Sequence, residues 1–329
     1  MNGTPLHRAR NLSRFRALPI LLQAMCAVSG HSQEAAPTET YPSSTKISVD
    51  VRLVVLHTSV WNNRGSTVSG LQERNFRVDE DGQPQVIRAF HIEDVPVAVG
   101  LVVDNSGSMT KKRSEVTAAA VAFARSSNQA DQMFIVNFNE NVTFGLPDTK
   151  LFSASVAELE RALLKPAPPG RTALYDAISG ARAHVQKSGN ESKVLVVISD
   201  GGDNASRRTL NQVLQDIARF EVTVYTIGLF DEDDPDINPQ VLRRIAKASG
   251  GEVFLPRIPA DAVQICERIA RDIRTQYTIS YSPSNQTFDG GRRSIKVSVT
   301  GNHGAKLQAR TRPGYIASPD GPAAKEGRR

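Results

Sequence analysis

The sequence predicts an α/β protein in which a doubly wound, mostly parallel sheet is inserted between two β segments. Three observations carry this expectation. Across residues 93–275, continuous apolar runs alternate with amphipathic helical patterns, as strands covered on both faces alternate with their crossover helices. On both sides of that block, over 46–92 and 276–316, apolar residues recur with period two, the pattern of half-buried strands. Neither flank makes a comfortable domain alone, so the two are expected to pair into one β-sandwich-like unit.

Composition bounds the rest. The chain has 329 residues, 40% apolar and 22% charged, values of a folded globular protein with room for about two domains. Two cysteines exclude a disulfide scaffold and a multi-cysteine zinc site. No apolar run approaches the roughly 20 residues of a membrane span. The formal charge is +6, but Arg8, Arg10, Arg14 and Arg16 lie in the first 30 residues, which hold no acidic residue. Without them the balance is 36 basic against 34 acidic residues, which leaves little electrostatic support for nucleic-acid binding.

From the N-terminus, that basic region precedes an apolar stretch from Ala17 to Val28 and then Ser29 and Gly30, the order of a secretory signal peptide over 1–30. The mature chain is then expected to be exported: periplasmic, surface-held or secreted. Residues 31–45 read as a linker. In 46–92, Ile47, Val49, Val51, Leu53 and Val55 alternate, Asn75–Val78 is a short strand, and Asp81-Gly82 marks a hairpin, so this segment reads as a β meander. Strands are expected at 97–103, 133–138, 194–198 and 222–227, and helices at 113–127, 155–164, 173–187, 208–220, 238–248 and 260–274. Cys266, among Val263, Ile269 and Ile273, reads as a buried thiol. Period two returns at Tyr277, Ile279 and Tyr281 and again at Ile295, Val297 and Val299. Residues 317–329 read as a polar, disordered tail.

In a doubly wound sheet, ligands bind outside the carboxyl ends of the strands. The first apolar strand ends in Asp104-Asn105-Ser106-Gly107-Ser108, and the strand at 194–198 is followed by Ser199-Asp200-Gly201-Gly202-Asp203. Thr172 sits on a loop before a helix at the same edge. Two hydroxyls two residues apart on a turning loop can face one point, Thr172 adds a third, and Asp104 and Asp200 supply charge. Such an all-oxygen set suits a hard divalent cation, Mg²⁺ first, with Mn²⁺ or Ca²⁺ as alternatives. With few anionic donors the cation would stay electrophilic, and a partner's carboxylate could complete its shell. The competing reading is that Asp104 and Ser106 cap the next helix. Asp203 is a second-shell candidate or a cap for the following helix. The run Asp231-Glu232-Asp233-Asp234 is a possible secondary acidic site or a solvated loop.

The arrangement of Asp104-x-Ser106-x-Ser108, Thr172 and Asp200 resembles the metal-ion-dependent adhesion site of von Willebrand factor type A domains. In that family the serines and the threonine contact the metal, and the aspartates act directly or through water. Arg74–Gly82, Gln276–Pro283, Arg293-x-Ile295-x-Val297 and Arg312-Pro313-Gly314-Tyr315 further resemble a bacterial secreted family, of acidobacterial type, related to these domains. Where integrin-type sites carry a second acidic pair, this chain has Thr110-Lys111-Lys112-Arg113, which argues against an adjacent second metal there.

Catalytic equipment is not evident. His31, His57, His91, His184 and His303 form no HExxH or GxSxG context, and no GxxxxGK[ST] or GxGxxG loop occurs. The expectation is a non-enzymatic, exported binding module that captures a protein presenting an Asp or Glu carboxylate through the metal. The alternative is a structural component of the cell envelope whose metal only stabilises the fold. A third reading, a helper to a cytosolic ATPase, conflicts with the export signal.

Overall fold

The computed structural model describes residues 53–92, 95–164, 170–230, 237–301 and 305–318, all within one compact unit, Asp50–Arg329. The expected signal peptide and linker, the acidic run and residues 319–329 lie outside the described residues. In chain order the strands and helices are β1 (Val54–Trp61), β2 (Phe76–Glu80), β3 (Gln83–Gln85), β4 (Ile87–His91), β5 (Val97–Asp104), α1 (Arg113–Ser126), β6 (Gln132–Phe138), β7 (Val142–Phe144), α2 (Val156–Leu163), α3 (Leu174–Val185), β8 (Ser192–Ser199), α4 (Leu210–Arg219), β9 (Thr223–Gly228), α5 (Pro239–Ser249), β10 (Val253–Phe254), α6 (Ala262–Arg274), β11 (Tyr277–Tyr281), β12 (Arg292–Val299), β13 (Gln308–Arg310) and β14 (Gly314–Ile316).

The central sheet runs β10-β9-β8-β5-β6-β7, parallel except for β7. Every residue of β5 is buried, as an unbroken apolar run requires when helices cover both faces. Helix α3 packs on β5, β6 and β8, and α5 packs on β9; α1 packs against α6 and α2. The helices start where the local chemistry favours it. The Ser155 hydroxyl accepts the Glu158 N–H at α2, Thr209 and Gln212 form a reciprocal box at α4, and Asn238 with Pro239 opens α5. Successive strands are added first on one side of β5 and then on the other. The strand order therefore reverses between β5 and β8, which opens a crevice at their carboxyl ends.

The flanking segments interleave rather than forming separate appendages. One sheet runs β13-β1-β11-β4 and the other β14-β12-β2-β3, so each mixes strands from before and after the α/β unit. Their facing residues share one core, with Leu56, Tyr277, Ile279 and Tyr281 from the first sheet and Phe76, Val78, Ile295 and Val299 from the second. The meander expected for 46–92 is thereby corrected. Among the described residues of this segment only β2 and β3 are hairpin neighbours, joined at Asp81-Gly82 with φ of 49° and 79°, the left-handed pair that a two-residue turn needs. Val54, by contrast, pairs with Tyr281. The ordered chain also extends past the expected tail boundary: Ala317 exchanges backbone hydrogen bonds with Gly290 and Gly291, and Ala317 and Ser318 are buried.

A buried carboxylate ties the start of the α/β unit to its end. Asp131 Oδ1 accepts the N–H of Val97 at 3.0 Å, and its Oδ2 pairs with Arg274 at 3.1 Å. The sandwich docks beside the amino ends of the central strands, where Gln276 Nε2 donates to Ser59 Oγ and to the Tyr225 hydroxyl.

Candidate metal centre

The crevice between β5 and β8 holds four of the five predicted oxygen ligands in one hydrogen-bonded chain. β5 ends at Asp104, whose Oδ1 accepts the N–H of Ser106 at 2.9 Å and so turns the loop back over the sheet edge. The turn brings Ser106 Oγ within 3.1 Å of Ser108 Oγ. Ser108 Oγ in turn donates to Asp200 Oδ2 at 2.5 Å. Asp200 follows β8, and its Oδ1 accepts the Gly202 N–H at 3.0 Å. Gly201, between them, has φ +82°, and a Cβ there would meet the Asn238 backbone, so this turn demands glycine.

Thr172 is buried on the neighbouring loop, and no hydrogen bond joins its side chain to the other four. Its backbone is fixed from several directions. The Thr172 N–H donates to Asn204 Oδ1 at 2.9 Å, its carbonyl accepts from Asn204 and Ala205, and the Ala173 N–H donates to Asn139 O. Gly107 N–H donates to Gly170 O at 3.0 Å, which ties this loop to the serine loop.

Helix capping does not account for the serine loop. Ser106 occupies the cap position of the short 3₁₀ segment Gly107–Lys112, yet its side chain makes no cap hydrogen bond. Its hydroxyl faces Ser108 instead.

Electrostatically the cluster is loaded. Asp104 is 2% exposed and Asp200 1% exposed. Burial, and then the negative charge of Asp200, push the Asp104 carboxyl up to about 7. Hydrogen bonds from Ser106 and Ser199 oppose this but do not cancel it. Two buried carboxylates, each accepting a different serine hydroxyl and linked through the Ser106–Ser108 contact, form a site that a cation relieves. Among the described residues no group of three or more His, Cys, Asp or Glu side chains gathers.

Other candidates separate from the cluster. Asp203 Oδ2 accepts from the Tyr175 N–H at 2.9 Å and from Ser206 Oγ at 2.6 Å. It holds the first turn of α3, whereas α4, the helix that follows it, is capped by Thr209. Asp231, Asp233 and Asp234 lie outside the described residues. Lys112 is buried, with its Nζ donating to Leu229 O at 3.2 Å. Cys266 is buried and its thiol is pushed up to about 12 by desolvation, which suppresses thiolate chemistry. His57 hydrogen-bonds Thr278, and His184 stacks among Phe134, Phe144 and Phe152.

Sequence reasoning assigned no role to Ser199, whose Oγ donates to Asp104 Oδ2 at 2.6 Å and accepts from the Gly201 N–H. It also missed Glu140 and Asn204. Ser199 adjoins Asp200 in sequence and carries a signal in hindsight. Glu140 and Asn204 arrive from separate loops and carry none.

A doubly wound sheet with hydroxyls and two carboxylates gathered at its switch point defines an α/β domain with an oxygen-lined crevice. The von Willebrand factor type A domain model matches residues 99–262, and this part of the chain belongs to that family. A von Willebrand factor type A protein from Catenulispora acidiphila is similar at 15% identity, over 76% of each chain, with a TM-score of 0.49. The vWF domain of the type V pili tip protein Mfa5 from Porphyromonas gingivalis is 16% identical over 55% of this chain and 95% of that one, with a TM-score of 0.45. Proximal thread matrix protein 1 from the mussel byssus, with a zinc-occupied MIDAS motif, is 16% identical over 59% of this chain and 49% of that one, with a TM-score of 0.46. No curated protein matches the sequence. Among the described residues no helix is long and apolar enough to cross a membrane.

Proposed function

We propose that the protein is an exported, non-enzymatic binding module that captures a protein partner through a divalent cation at the β5–β8 crevice. The observation that carries this reading is the chain Asp104–Ser106–Ser108–Asp200, hydrogen-bonded across two strand ends beside the clamped Thr172 loop. Ser106, Ser108 and Thr172 would hold the cation through hydroxyl oxygens, and Asp104 and Asp200 directly or through water. Mg²⁺ fits this set best, with Mn²⁺ or Ca²⁺ as alternatives. When bound, the cation supplies a Lewis-acidic point to which an Asp or Glu carboxylate of the partner can bond. Ser199 keeps Asp104 aimed, and the Gly202 N–H does the same for Asp200.

Calorimetric titration of the protein with Mg²⁺ and with Mn²⁺, beside Asp104→Ala, tests the site. Saturable binding lost in the variant is expected; a folded wild type that binds neither metal would refute it. The second reading, a metal that only stabilises the fold, draws on the buried repulsion between Asp104 and Asp200. It is separated by association with a captured partner, which under the bridging reading disappears in EDTA.

A further inference from the structure

The geometry points to Glu140 as a positioning residue for the cation site, acting through the loop that carries Thr172. This inference rests on the reading of that site as metal-binding. Glu140 stands in the turn between β6 and β7, at the same carboxyl edge as Asp104 and Asp200. Its Oε2 accepts the N–H of Arg171, the residue before Thr172, at 2.7 Å. The neighbouring Asn139 carbonyl accepts the N–H of Ala173, the residue after Thr172, at 2.8 Å. The turn therefore grips the loop on both sides of the hydroxyl that the site needs.

Gly170 makes the grip possible. A Cβ at that position would lie on the Glu140 carboxylate, 2.7 Å from Cδ and closer still to Oε2. Gly170 has no positive φ, so its lack of a side chain serves the approach of Glu140 and not a left-handed turn. Glycine and glutamate are thus matched. The carbonyl oxygen of the same Gly170 accepts the Gly107 N–H of the serine loop, so the grip couples the two loops that bear hydroxyls.

The role belongs to the acceptor atom, and that separates it from a mere contribution of negative charge. Glu140→Gln keeps an oxygen that can accept the Arg171 N–H; Glu140→Ala removes it. Loss of an outer support of a metal ligand typically weakens metal binding 10–100-fold. Calorimetric Mg²⁺ and Mn²⁺ titrations are expected to show Glu140→Ala about tenfold weaker than wild type and Glu140→Gln close to wild type. Gly170→Ala should weaken binding similarly by expelling the carboxylate. In the Glu140→Ala background it should add nothing, because the obstructing side chain is gone. Amide exchange at Arg171 and Ala173 in EDTA, faster in Glu140→Ala and in Gly170→Ala, reads the same grip without metal.

The outcomes divide cleanly. A wild type that binds neither metal overturns the metal-site reading, and this inference with it. A wild type that binds, beside a Glu140→Ala variant of equal affinity, overturns the inference alone. Equal losses in Glu140→Gln and Glu140→Ala also overturn it, because charge and not the acceptor would then be the operative property.

Discussion

Replacing Asp104 by asparagine is expected to stabilise the metal-free protein while abolishing its response to metal. The buried carboxyl of Asp104 is raised from 3.8 to about 7, by burial first and the charge of Asp200 second. The folded state therefore binds a proton that the unfolded chain has already lost between those two values. Stability falls as pH rises through the window from 3.8 to about 7 and is flat above it. At about 1.36 kcal/mol per pKa unit, the metal-free fold at pH 8 carries a penalty of roughly 4 kcal/mol at the upper bound. Asparagine removes the charge and keeps the shape, at the cost of about 1 kcal/mol for turning the acceptor facing Ser199 into a donor. That cost does not vary with pH. The telling quantity is therefore the stability difference between variant and wild type at pH 8, minus the same difference at pH 5. Linkage puts it at roughly 2–3 kcal/mol in favour of the variant, several degrees in Tm at about 2–4 °C per kcal/mol. Urea unfolding in EDTA at the two pH values measures it. Saturating Mg²⁺ should then raise wild-type stability, by about 2.7 kcal/mol at a hundredfold excess over Kd, and leave the variant unmoved. A pH-independent difference, or a variant that loses ground as pH rises, would refute the electrostatic account of the site.

Three further expectations follow from groups elsewhere in the fold. His57 is held neutral, its pKa lowered to about 4 by burial and then by Arg312 and Lys193. The unfolded chain takes up this proton below about 6.5, so stability should drop by up to roughly 3 kcal/mol as pH falls from 6.5 to 4, and His57→Gln should flatten that part of a urea-midpoint profile. Tyr281→Phe removes a hydroxyl that donates to buried Glu80 at 2.6 Å and leaves only Tyr315 on that oxygen; a loss of about 2–3 kcal/mol by chemical denaturation is expected. Gly100→Ala, in the middle of β5, would set a Cβ 2.8 Å from Leu195 Cδ2 and 2.9 Å from Phe134 Cε1, and calorimetry should register about 1–3 kcal/mol of overpacking.

What the sequence disclosed follows the range of each interaction. The six α-helices of the described residues lie where the apolar periodicity puts them, because an amphipathic stripe is written in consecutive residues. Strands β7 and β10, of three and two residues, are too short to show any period. Several sandwich strands were recognisable as strands, the three-residue β13 and β14 were not, and beyond the Asp81-Gly82 hairpin no partner was. Alternation reports which face is buried, and nothing near Val54 names Tyr281 as its neighbour. The same division runs through the candidate site. Asp104, Ser106, Ser108 and Asp200 sit at the ends of two obvious strands, and the switch-point rule brings those ends together. Glu140 and Asn204 act on a third loop through backbone N–H groups, and a backbone acceptor role leaves no residue pattern to read.

The braided sandwich gives the α/β unit a second task. β1 and β11 are far apart in sequence, and closing that loop from an unstructured chain is costly. The Asp131 carboxylate joins Val97 at the start of the unit to Arg274 at its end, so once the unit is folded the effective loop shrinks roughly four- to fivefold, about 1.3 kcal/mol of closure entropy. The sandwich that results lies at the amino ends of the strands, where His57 shares a cleft with Lys193 and Thr223. The oxygen cluster lies at their carboxyl ends, and β8, eight residues long, spans roughly 25 Å between the two. Sites that far apart with no shared partner are additive within about 0.5 kcal/mol. Asp104→Asn and His57→Gln should therefore combine without coupling in EDTA. A larger departure from additivity would mean that the state of the oxygen cluster is transmitted along the sheet to the sandwich.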